Sequence, residues 1–109
     1  MKSEEIKERL KKMAIGDRGG SHNEQGLMCL ACHAAPNTLA QLQDLMEDAG
    51  VPVESVVDAA NRWMAGGRDS VVQRFYIKRG RLRIMDFHSG SHQCIDINKM
   101  ADFIIPLLK

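Results

Sequence analysis

The sequence predicts one α+β domain with an N-terminal helix, a helical hairpin, a small three-stranded antiparallel meander and a C-terminal helix. Apolar residues recur at helical spacing over 2–14, 36–65 and 98–108, branched and aromatic residues alternate with basic ones over 71–87, and glycines stand at the joints. The chain has 109 residues, 44% hydrophobic and 27% charged, which is single-domain size and globular composition. Seven methionines and few aromatics predict a core of aliphatic and thioether side chains, which tolerates irregular packing.

Residues 2–14 form an amphipathic helix with Ile6, Leu10 and Met13 on one face and Glu5–Arg9 and Glu8–Lys12 spaced for ion pairs. Residues 15–35 are a glycine-rich loop. It lacks a preceding strand and a Gly-Lys-Ser/Thr ending, so its glycines do not read as a phosphate cradle. Residues 36–65 are the helical hairpin. Asn37 or Thr38 caps its first helix, which turns Leu39, Leu42, Leu45 and Met46 inward and stops at Gly50. Val51-Pro52 turns the chain, and the second helix carries Val56, Val57, Ala60, Trp63 and Met64 on its stripe. This outline matches a helix-turn-helix reader, but Glu54 and Asp58 near the start of the second helix would repel phosphates, so the pair reads as scaffold.

Residues 70–109 hold the meander and the last helix. With Arg79-Gly80 at the tip, Ile77 faces Leu82 and Phe75 faces Ile84, which gathers the four apolar side chains on one face. Arg79 is a poor first residue for a tight type I′ turn, so a longer loop or a glycine bulge is expected there. The opposite face carries Arg74, Tyr76, Lys78, Arg81, Arg83 and Met85, with Arg79 at the tip. Lys78 opposite Arg81 is a like-charge pair, costly unless an anion lies over it. Such a ribbon suits a phosphate backbone, with Tyr76 able to stack on a base if the strand is single. The competing expectation is that the acidic stretch of Asp44, Glu47, Asp48, Glu54 and Asp58 lies across this face and neutralises it. A third strand follows over 93–97, with Ile95 and Ile97 inward. Asn98 then caps a last helix on which Met100, Phe103, Ile104 and Leu107 form the stripe and Pro106 forces a kink or an end.

Cys29-Leu30-Ala31-Cys32-His33 is the chain's most chemically specific stretch. Two thiolates at this spacing make half of a tetrahedral zinc site, and His33, His22, His88, His92 and Cys94 are candidates for the rest. The same five residues resemble the attachment motif of c-type cytochromes, and that resemblance implies covalent haem with His33 as axial ligand. Haem attachment normally requires export, and Met1 is followed by charged residues rather than a leader, so a cytoplasmic protein with structural zinc is the favoured expectation. Thiol redox chemistry at Cys29 and a plain buried pair are the other readings. No catalytic triad follows from the spacings, so an enzyme is not the expectation. The chain reads as a small regulatory or accessory protein that binds nucleic acid or an acidic protein partner through the basic hairpin. A metal or redox module at Cys29 to His33 and a dimeric interaction module are the alternatives, a homodimer seam being available in the apolar terminal helices. No membrane partner is expected.

Overall fold

The computed structural model describes residues 1–16, 36–65, 74–84 and 95–109. Helix α1 (Ser3–Gly16) buries Ile6, Leu10 and Met13, because residues three and four apart share one helical face. Arg9 does not pair within its own helix. Its Nη1 donates instead to Asp48 Oδ2 at 2.9 Å, which ties α1 to helix α2 (Pro36–Ala49). Asp48 is exposed and Arg9 only half-buried, so solvent screens this pair and it orients the helices more than it stabilises them.

Helix α2 begins at Pro36, whose missing N–H costs nothing in a first turn, so Asn37 and Thr38 lie inside the helix rather than at its cap. Leu39, Leu42, Leu45 and Met46 are buried as expected. The helix ends in a left-handed glycine, Gly50, at φ 72°. The Gly50 N–H donates to the Glu47 carbonyl and the Val51 N–H to the Met46 carbonyl, both at 3.1 Å, which is the Schellman pattern of bonds. Val51 and Met46, at the two positions whose apolar contact often accompanies that motif, are both buried in the core.

Helix α3 (Val53–Ala65) follows at once, with Val56, Val57, Ala60 and Met64 buried and Trp63 half-buried. The ring of Trp63 lies 6.4 Å from that of Phe103 at 58°, and Lys99 Nζ stands 5.1 Å from the Trp63 ring while pairing with Asp102 at 2.7 Å. The two helices are joined as a hairpin but touch each other sparingly. Helix α2 packs on α1 and on a strand, and α3 packs on the partner strand and the C-terminal run.

The strands are β1 (Phe75–Lys78) and β2 (Arg81–Ile84), an antiparallel pair with Phe75 opposite Ile84, Tyr76 opposite Arg83, Ile77 opposite Leu82 and Lys78 opposite Arg81. That is the register the alternation predicts. Among the described residues the sheet has two strands, not three. Gln93 and Cys94 lie outside the described residues. Beyond them Ile95 is buried, Asp96 makes a single bridge, and Ile97 already begins a 3₁₀ helix, Ile97–Met100. The cap there is Asp96 rather than Asn98: its Oδ1 accepts from the Asn98 N–H at 2.7 Å. The run continues as α4 (Ala101–Ile104) and closes in a second 3₁₀ turn, Ile105–Leu107, at Pro106, where proline removes a donor and ends regular helix.

Candidate functional site

The hairpin turn consists of Arg79 at φ 54° and Gly80 at φ 73°. Positive φ at both central residues defines a type I′ turn, whose twist matches that of the strands it joins. No longer loop or bulge intervenes. The register and the twist of the two strands prevail over the preference of Arg79 for negative φ, which costs an L residue about 1–2 kcal/mol.

One face of the hairpin is core. Phe75 is 2% exposed and Leu82 4% exposed, and Ile84 is half-buried. Ile77 departs from the expectation for this face: it is 40% exposed, although Leu82 opposite it is buried. The other face, with Tyr76, Lys78, Arg81 and Arg83, is exposed, as are Arg74 and Arg79 at its two ends.

Two neutral amides hold the hairpin to the helices. Asn61 of α3 lies against the outer edge of β1, accepting from the Phe75 N–H at 2.7 Å and donating to the Phe75 carbonyl at 3.0 Å. Gln43 of α2 lies against the outer edge of β2. It accepts from the Leu82 N–H at 2.9 Å and donates to the Gly80 carbonyl at 2.8 Å. In this register the peptide groups of Phe75 and Leu82 point away from the partner strand, so each amide caps an edge that would otherwise lack partners.

Neither amide of the clamp carries a charge of its own. Over 74–84 the chain carries Arg74, Lys78, Arg79, Arg81 and Arg83 and no acid. Among the described residues none of these five is in an ion pair. Asp44, Glu47, Asp48, Glu54 and Asp58 are all exposed, Asp48 is engaged by Arg9, and Glu47 accepts from Gln43 at 3.1 Å. Among the described residues no ion pair joins the acidic helices to the cationic face. The helices meet the hairpin through apolar side chains and amides, and the Glu47 carboxylate stands behind one of those amides, on the Gln43 nitrogen that also reaches Gly80.

Asn61 was visible in the sequence only as one polar position on a helix, and Gln43 carried no signal at all. The proposed metal ligands Cys29, Cys32, His33, His22, His88, His92 and Cys94 lie outside the described residues. A groove of about 310 Å³ between α3 and the C-terminal run is lined by Asp58, Arg62, Asp102, Phe103 and Leu107 among others, and holds no residue expected at a site. No helix among the described residues is long and apolar enough to cross a membrane. Compared with known proteins, the chain matches no family model, no curated sequence and no solved structure.

Proposed function

We propose that this is a small cytoplasmic regulatory or accessory protein that binds nucleic acid through the outward face of its hairpin. Arg74, Lys78, Arg81 and Arg83 meet phosphates, Arg79 extends the cationic surface at the tip, and Tyr76 lies within it. The observation that carries this reading is a cluster of five exposed cations without an ion pair among the described residues, held on a braced hairpin. Unpaired like charges repel one another and favour an anionic partner laid across them. An acidic protein would meet the same charges, but an exposed tyrosine within the cationic face adds a surface suited to a base.

Charge reversal tests it. Arg81→Glu with Arg83→Glu should weaken binding to a labelled oligonucleotide at least about tenfold at moderate salt, since each replaces a phosphate contact with a repulsion. Unchanged binding by a folded variant contradicts the proposal.

Cys29 and Cys32 are assigned to a structural zinc on ligand type and spacing, with His33, His22, His88, His92 and Cys94 as candidates to complete it. Protein purified without chelator or affinity metal should contain about one zinc per chain and show protected thiols. Freely reactive thiols without metal would remove the zinc and favour redox chemistry at Cys29.

A further inference from the structure

We infer that the nucleic acid taken by the hairpin face is single-stranded, with a base stacked on Tyr76 and the flanking phosphates on Lys78, Arg81 and Arg83. This rests on the reading above and narrows it. A two-stranded ribbon has two ways to meet nucleic acid. It can enter the major groove of a duplex, about 12 Å wide, or it can lie flat beneath an unpaired strand.

The clamp argues against the first. Strands lie about 4.8 Å apart, and an amide stands against the outer edge of each, Asn61 within 3.0 Å of Phe75 and Gln43 within 2.9 Å of Leu82. The braced hairpin is therefore roughly as wide as the groove before the bodies of α2 and α3 are counted. Gln43 also reaches Gly80, so the brace on the β2 edge extends to the turn itself. What remains is a low platform.

The platform is built for stacking. Tyr76 is 39% exposed, it lies opposite Arg83, and Lys78 and Arg81 follow toward the turn on the same face. The aromatic ring is thus bordered by cations along both strands. In a duplex the bases are already stacked on one another, so a ring in this position has nothing to receive. In an unpaired strand it receives one base while the cations hold the phosphates on either side.

The test uses the full chain and a fluorescein-labelled oligothymidylate of about twelve nucleotides, long enough to cover a small single-strand site, beside a blunt duplex of equal length. The wild type should prefer the single strand. Tyr76→Ala should weaken that binding by roughly five- to a hundredfold, Tyr76→Phe should restore most of it, and duplex binding should change little with either. Tyr76 is the chain's single tyrosine. Its ring proton resonances should therefore shift upfield on addition of the oligothymidylate, a readout that needs no variant. Equal affinity for both probes, or a silent tyrosine, overturns the single-strand inference while leaving the cationic face in place if Arg81→Glu with Arg83→Glu still abolishes binding. Failure of the wild type to bind either probe overturns both.

Discussion

Arg79 holds the left-handed conformation at φ 54° in the middle of the turn, where its Cβ crowds the following carbonyl oxygen. Arg79→Gly removes that strain, and after the entropy glycine loses on folding it should stabilise the protein by about 1 kcal/mol, seen as a rise in Tm of about 5 °C. The opposite change applies at Gly50, at φ 72°, where an added Cβ meets nothing within 4 Å. Gly50→Ala therefore costs only the backbone term, about 1 kcal/mol in a urea titration. Gly50 was legible as a helix stop. The position of Arg79 was legible as the turn, but its conformation was not, because local preference argues against it and only the strand register enforces it. At this scale the strain at Arg79 keeps a fifth cation on the hairpin where asparagine or glycine would fold more easily.

Among the elements, the periodic signals were the readable ones. The stripes of α1, α2 and α3 and the pairing of Phe75 with Ile84 and Ile77 with Leu82 follow from spacing alone, since burial of one face fixes phase and register. The third strand failed at Ile97 because Asp96 caps a helical turn there, and a short apolar alternation cannot be told from the start of a helix by periodicity. The clamps were invisible for a different reason: Gln43 and Leu82 are 39 residues apart, and a polar residue on a helix carries no mark of what it will meet. Removing one tests its weight. Asn61→Ala leaves the Phe75 N–H and carbonyl without their partners in a half-buried site and should destabilise by about 2 kcal/mol. Gln43→Ala should cost a comparable amount, and the double variant should be close to additive, because the amides act on different strands from different helices. Strong non-additivity would mean that the hairpin is held as one unit rather than at two edges.

For the whole molecule, the feature that bears on function is a cationic hairpin that makes no ion pair among the described residues. The acidic stretch of α2 and α3 and the basic hairpin adjoin in sequence, and a reading of charge alone allowed them to cancel. Among the described residues no ion pair joins them: Gln43 and Asn61 make the polar contacts between these elements, Glu47 is held by Gln43 and Asp48 pairs with Arg9. The proposed zinc ligands lie outside the described residues, so the hairpin face carries the functional argument. Its most direct test is the salt dependence of oligothymidylate binding by the wild type and by the Arg81→Glu, Arg83→Glu variant. Three or four phosphate contacts predict a log–log slope of about −2 to −3, and loss of two contacts should flatten it by about 1.4. A slope near zero for the wild type, or the same slope in both proteins, would contradict binding of nucleic acid by this face.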